Sequence, residues 1–217
     1  MNESRLLKKD LFGEVWREST PTGPVIRRDT QSARWWLRWL ANALMRREAT
    51  ALLALEGLGN VPEIVAVGGN ELTRSFIDGV PLHIGKPTDE RYFVSAARLL
   101  RRLHQRGVAH NDLAKEPNLL VTGDGSAAFI DFQLAWHAPR RGRLFRIAAR
   151  EDIRHLLKHK RNYRPDALTQ RELRILATPS ALSRAYMASV KPVYLFITRQ
   201  LLGWSDREGA SDRGRQD

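Results

Sequence analysis

The residues best suited to chemistry lie in one stretch of this 217-residue chain, Val108-Ala109-His110-Asn111-Asp112-Leu113-Ala114-Lys115-Glu116-Pro117-Asn118-Leu119-Leu120-Val121. It holds an imidazole, a carboxylate, an ammonium and a carboxamide. Ile130-Asp131-Phe132-Gln133 adds another carboxylate thirteen residues after Asn118. A carboxylate can accept a proton, carboxylate and amide oxygens are hard ligands suited to Mg²⁺, and an ammonium steadies developing negative charge. Asn and Asp are also ordinary turn residues. Four such residues in this order, with apolar strands between them, make turn chemistry alone a poor account. Leu119–Val121 and Ala127–Ile130 read as a tight hairpin around Gly123-Asp124-Gly125, a rigid support for the polar groups.

Elements must position this loop from both sides. Leu11–Arg17 and Pro24–Arg28 are apolar-rich and joined by turn residues, which predicts a hairpin. Thr30–Glu56 lacks Gly and Pro and predicts a long helix, or two helices in sequence, capped by Thr30 or Ser32, with Trp36, Trp39, Leu40, Ala43 and Leu44 at helical spacing. Val61–Val67 and Glu71–Ile77 read as two strands about a Gly68-Gly69-Asn70 turn. Asp89–Arg106 reads as a helix with Tyr92, Ala96, Leu99, Leu100 and Leu103 on one face and Gly107 as its stop. Helices are expected after Pro139 to about Lys160, near Thr169–Ala177 and over Lys191–Leu202, with a polar, aperiodic tail from Ser205 to Asp217. The class is α+β: strands with one helix first, then mostly helix.

The order His-x-Asp, Lys, Asn, hairpin, Asp-Phe resembles the catalytic loop and metal-binding turn of the protein-kinase-like fold. The small size and the Asp-Phe-Gln variant are most similar to bacterial lipopolysaccharide (Kdo) kinase-like and RIO-like kinases. The resemblance implies a reduced two-lobe architecture. A small β-rich nucleotide-binding N-lobe with one long helix would span 1–78, a mainly helical C-lobe 79–204, and a flexible tail 205–217. It implies ATP and Mg²⁺ as cofactors, Asp112 as the base that receives the acceptor's proton, and Lys115 as the cation near the transferring group. Asn118 and Asp131 become the metal ligands. His110 becomes a scaffold hydrogen-bonder and Asp152 the buried acid that braces the loop. One departure stands out: Asn118 follows Asp112 by six residues where the family has five, and Lys115 by three where it has two. An inserted Ala114 accounts for both.

For the nucleotide lobe the resemblance is looser. Val25-Ile26-Arg27-Arg28-Asp29 has no Lys, so Arg28, or failing it Arg27, takes the place of the phosphate-binding strand cation, with Glu48 as its helix partner. Arg is longer and planar, so the exchange changes the geometry. Phe12-Gly13-Glu14-Val15 keeps a single glycine of the nucleotide roof, contributing Gly13 and Val15. Phe76-Ile77-Asp78-Gly79 corresponds to the hinge, and Ile26 and Ile130 to apolar contacts with the base. No activation segment follows Asp131, as in the same subgroup.

Composition narrows the partners. The absence of cysteine excludes a disulfide scaffold, a thiolate metal site and a cysteine nucleophile. No run of about 18 apolar residues is present to span a bilayer, and Met1–Asp10 lacks the apolar core of a secretory signal. The expected location is therefore cytoplasmic, with peripheral contact at the inner face of an anionic membrane left open. Net charge is +12, and Pro139–Arg164 alone carries ten Lys/Arg against Glu151 and Asp152. Such a field draws phosphate-bearing ligands. Arg34-Trp35-Trp36-Leu37-Arg38-Trp39 mixes the residue types of a membrane interface, although a Trp core stripe on a basic helix has the same composition. His155 and His159 have helical metal spacing but no third ligand near them. The leading expectation is an ATP:hydroxyl phosphotransferase acting on Ser/Thr of a protein, with a sugar hydroxyl of lipopolysaccharide core (Kdo/heptose) as the alternative acceptor. A pseudokinase binding module and, more remotely, a nucleic-acid binder compete with it.

Overall fold

In a computed structural model that describes residues 4–178, the first half of the chain builds a five-stranded antiparallel sheet. Its strands are β1 (Ser4–Asp10), β2 (Gly13–Thr20), β3 (Gly23–Asp29), β4 (Ile64–Gly68) and β5 (Glu71–Ser75), in the spatial order β1-β2-β3-β5-β4. The predicted hairpin is β2–β3, in the register Val15–Arg28 and Arg17–Ile26. Strand β1 has no counterpart among the expected elements. It is an edge strand, mostly exposed and carrying Lys8 and Lys9, so it lacks the one-sided apolar pattern that marks a half-buried strand.

Helix α1 (Arg38–Ala54) crosses the sheet. It starts eight residues later than Thr30, because Thr30 does not cap it. Thr30 is buried, donates its hydroxyl to Asn42 Oδ1 and the Asn70 carbonyl, and so ties the end of β3 to the helix and to the β4–β5 turn. The expected apolar face is also corrected. The helix buries Ala41, Met45, Glu48, Ala49, Ala51 and Leu52, while Trp36 and Trp39 turn outward. Small residues and Met let the helix lie close on Leu72 of β5, and that close approach selects the buried face over side-chain hydrophobicity.

A short strand β6 (Val80–Pro81) and helical turn α2 (Leu82–Gly85) lead to α3 (Glu90–Gln105). Asp89 caps α3 by accepting the Arg91 amide at 2.8 Å. The predicted face of Tyr92, Ala96, Leu99, Leu100 and Leu103 is buried, each large side chain contributing roughly 1.5–3 kcal/mol. Gly107 follows at φ +72°, and a Cβ there would stand 2.8 Å from the Ala138 carbonyl. Next come β7 (Val108–Ala109), the hairpin β8 (Leu119–Val121) and β9 (Ala127–Phe129), and β10 (Trp136–His137), which pairs with β7. Helices α4 (Arg143–Tyr163) and α5 (Gln170–Ala177) close the described chain.

The main core joins the C-terminal part of α1 (Ala51, Leu52, Leu55) to α3, β8, β9 and Leu156 of α4. The architecture is α+β, and the elements through Leu176 belong to one compact unit. The helix expected over Lys191–Leu202, the 204/205 boundary and the polar tail lie outside the described residues. The basic tract is less free than its composition suggests. Arg154 and Lys160 are buried, with Arg154 Nη1 3.5 Å from Glu151 and Lys160 Nζ 3.0 Å from Glu172. No described helix is long and apolar enough to cross a membrane.

Candidate functional site

The loop between β7 and β8 is assembled around Asp152, which α4 delivers fully buried. Its Oδ2 accepts the His110 amide at 2.8 Å and His104 Nε2 at 3.1 Å, and its Oδ1 accepts the Asn111 amide at 2.8 Å. Two loop residues adopt left-handed backbone, Asn111 (φ 63°) and Asp131 (φ 64°), a conformation Asn and Asp tolerate better than other non-glycine residues. Asn111 Nδ2 then reaches the Leu134 carbonyl at 3.0 Å, linking the loop to the turn after Asp131.

His110 lies behind both carboxylates. Its Nε2–H donates to the Ile130 carbonyl at 3.0 Å and its Nδ1 accepts the Asp112 amide at 3.3 Å, an arrangement that needs the neutral ring. Burial pushes the imidazole below its ordinary pKa against the raising charges of Asp152, Asp131 and Asp112. In the resting structure it is a brace.

Asp112, Lys115 and Asn118 converge. Lys115 Nζ and Asn118 Nδ2 each lie 2.9 Å from Asp112 Oδ2, and Asn118 Nδ2 is also 2.9 Å from the Asp112 carbonyl. The spacing between Asp112 and Asn118 is taken up by a turn at 112–115 and a 3₁₀ turn at Glu116–Asn118, with the Asn118 amide donating to the Lys115 carbonyl at 3.1 Å. Asp131 comes to the same place because the Ile130 amide donates to the Asn118 carbonyl at 3.0 Å.

The sheet contributes charge. Residues Val15, Ile26, Arg28, Leu72 and Arg74 share one face by register, the face on which α1 sets Glu48. Glu48 is fully buried. Arg74 Nη1 donates to its Oε1, and Arg28 Nε stands 3.7 Å from its Oε2. Arg27 is on the opposite face, bonded to Glu18 at 2.7 Å and Glu71 at 3.2 Å. Arg28, the first choice, is therefore the one that meets the helix acid. Burial pushes the Asp131 carboxyl up, but Arg74, Arg28, Lys115 and His110 outweigh it and hold it below the ordinary Asp range.

The remaining expected positions are scattered around this group. Gly13 sits at φ +122°, and a Cβ would be driven onto the Asp29 carbonyl. This glycine thus has a strand-packing reason independent of any ligand. The Phe76 amide donates to the Pro24 carbonyl at 3.1 Å, and its ring lies 4.1 Å under the Arg17 guanidinium. Ile77 and Ile130 are half-buried.

Four participants were not expected. Arg74 is one. Gln133 is another, its amide donating to Asp131 Oδ1 at 2.8 Å. The others are His159, whose Nε2 donates to the Leu113 carbonyl at 2.8 Å, and Tyr163, whose hydroxyl donates to Glu116 at 2.7 Å. Asp152, His159 and Tyr163 follow i, i+7, i+11 spacing, a helical face that the sequence displays. A cavity of about 620 Å³ lies between α3, α4 and α5; of the site groups described above only His104 lines it.

Among the described residues no three His, Asp or Glu side chains form a metal cage. Asp131 and Asn118 offer one carboxylate and one amide oxygen, a set suited to Mg²⁺ that takes its other ligands from phosphates and water. No family model and no curated protein matches this chain.

Proposed function

We propose that the chain is an ATP-dependent phosphotransferase of the protein-kinase-like type, moving the γ-phosphate of Mg-ATP to a hydroxyl, with Ser/Thr of a protein as the acceptor class. The observation that carries this reading is the convergence of Asp112, Lys115 and Asn118 on one oxygen, with Asp131 tied to the same loop and lying in the field of Arg28 and Arg74. Asp112 orients the acceptor hydroxyl and takes its proton as the new O–P bond forms and the bond to the leaving ADP breaks. Lys115 offsets charge on the transferring group. Arg28, held by Glu48, meets the nucleotide phosphates in place of the strand lysine, and Val15, Ile26 and Ile130 flank the base. Asn118 and Asp131 hold Mg²⁺, which when bound neutralises the phosphate oxygens.

A second acceptor class, a sugar hydroxyl on an anionic glycolipid such as lipopolysaccharide core, is favoured by the outward Trp35 and Trp39, 82% and 69% exposed. The test is γ-phosphate transfer from Mg-ATP to casein-type proteins and to core oligosaccharide. Asp112→Asn is expected to lower turnover about 10²–10⁴-fold with the melting temperature kept. Unchanged turnover would refute Asp112 as the base. No transfer, together with no stabilisation by millimolar Mg-ATP, would turn the reading to a binding module.

A further inference from the structure

The segment 30–47 holds four Arg, three Trp and no acid. Its folded form separates these residues by face. The inward face of α1 carries Ala41, Met45, Glu48, Ala49 and Leu52, all buried. Trp39, Arg46 and Leu53 fall on the outward face at seven-residue, two-turn intervals, and Trp35 stands exposed in the turn before the helix. Trp35 is 82% exposed, Trp39 69% and Leu53 58%. Burying a Trp is worth more than burying almost any other side chain, so two that far exposed on an ordered element form a contact surface with no partner among the described residues. Arg34, Arg38 and Arg46 are exposed beside them.

We infer that the outward face of α1 docks on an anionic lipid surface. The helix would lie in the interfacial plane, its roughly 25 Å length along the membrane, with the indoles at headgroup depth and the guanidinium groups on lipid phosphates. Charge complementarity selects this occupant. A second copy of the chain would set these arginines against their equivalents in a molecule already at +12. Indole rings with a polar N–H and an apolar body suit the half-wet boundary of a bilayer. The inference stands whether or not the chain transfers phosphate.

The experiment is co-sedimentation of the full chain with vesicles of phosphatidylcholine alone or mixed equally with phosphatidylglycerol, with intrinsic Trp emission followed in parallel. Binding is expected with the mixed vesicles, falling as salt is raised, with a blue-shifted emission. The double variant Trp35→Ala/Trp39→Ala should weaken partitioning by about tenfold or more. Arg38→Glu/Arg46→Glu should remove the preference for anionic vesicles. All four positions are exposed, so unchanged melting temperatures are expected and separate lost docking from lost folding. Three results would overturn the proposal: no binding to mixed vesicles; binding unaffected by either variant, which would move the contact to the 139–164 tract; or lipid-free self-association that the Trp variant abolishes, which would make a second copy the occupant. Phosphate transfer to a soluble acceptor is measured on the same variants. Its persistence in variants that no longer bind vesicles is expected and separates the docking face from the transfer site. Failure of the parent chain to bind mixed vesicles while it still transfers phosphate would sink the docking face and leave the phosphotransferase reading intact.

Discussion

Two clusters of buried polar groups flank Asp131, and they are built in opposite ways. Around Asp152 both carboxylate oxygens are used, on two backbone amides and a histidine, and the loop they shape is pinned again at Leu113 and Glu116. Around Glu48, one oxygen takes Arg74, while Oε2 and the facing Arg28 Nε have no hydrogen-bond partner among the described residues and stand 3.7 Å apart. Leaving a buried donor and acceptor unmade carries a cost in free energy. Asp152 is thus fully bonded before any ligand arrives, and the sheet side keeps bonding capacity in reserve at its central acid. Arg28 can close on Glu48 or turn to an anion.

The hardest blow to this contrast is Asp152→Ala. It strands two amides and removes the partner of His104, with an expected loss of about 3–5 kcal/mol by urea unfolding. A loss under about 1 kcal/mol would mean the loop holds itself and would erase the distinction. Glu48→Ala follows, leaving Arg74 and Arg28 facing each other without an acid between them. About 3 kcal/mol is expected to go. Recovery of most of that in the Glu48→Leu/Arg74→Leu pair would show that the cost lies in the uncompensated charge. If Glu48→Ala proves harmless, the sheet cluster is solvated and its reserve is illusory. Gly13→Ala tests the roof of the sheet side. The forced φ and the clash with Asp29 should cost about 1–3 kcal/mol without any nucleotide present. A mutant as stable as the parent but weaker for ATP would reassign that glycine from packing to ligand binding.

The smallest effect is a pH dependence on the loop side. Burial and the neighbouring Lys158 lower the His155 pKa, opposed by Asp152 and Glu151. The unfolded chain therefore binds the proton more readily than the folded one. Stability should fall as pH drops through and below the ordinary histidine range near about 6.5. His155→Gln should flatten that slope in melting temperatures taken across the window. A slope unchanged by the substitution would assign it to His110 and the other titrating groups.

The loop side was the more legible one. Asp112, Lys115 and Asn118 meet within seven residues, so their spacing expresses their geometry, whereas Asp152 reaches the loop from 41 residues away and was placed only through the resemblance. The turn at 112–115, which includes Ala114, leaves the side chains together. The sheet side was read only in part, because its pairing runs across the chain. Arg74 meets Glu48 from 26 residues away, and only the β3–β5 register puts it on the same face as Arg28. The Trp-rich start of α1 misled for a related reason. Hydrophobicity names residues that gain by burial, but the sheet beneath accepts Ala and Met at close range and leaves the larger rings outside. Strand β1 gave no one-sided pattern because an edge strand need not bury either face.

Helix α1 is held at several points along its length. Leu52 sits in the main core, Met45 and Ala49 lie on Leu72, and Asn42 is bonded to Thr30 and Asn70. At 1.5 Å per residue Trp39 is about 14 Å from Glu48, and Asn42 and Met45 are anchored between them. The helix is therefore a strut: a push at the tryptophan end reaches the acid only by carrying Thr30 and the β4–β5 turn with it.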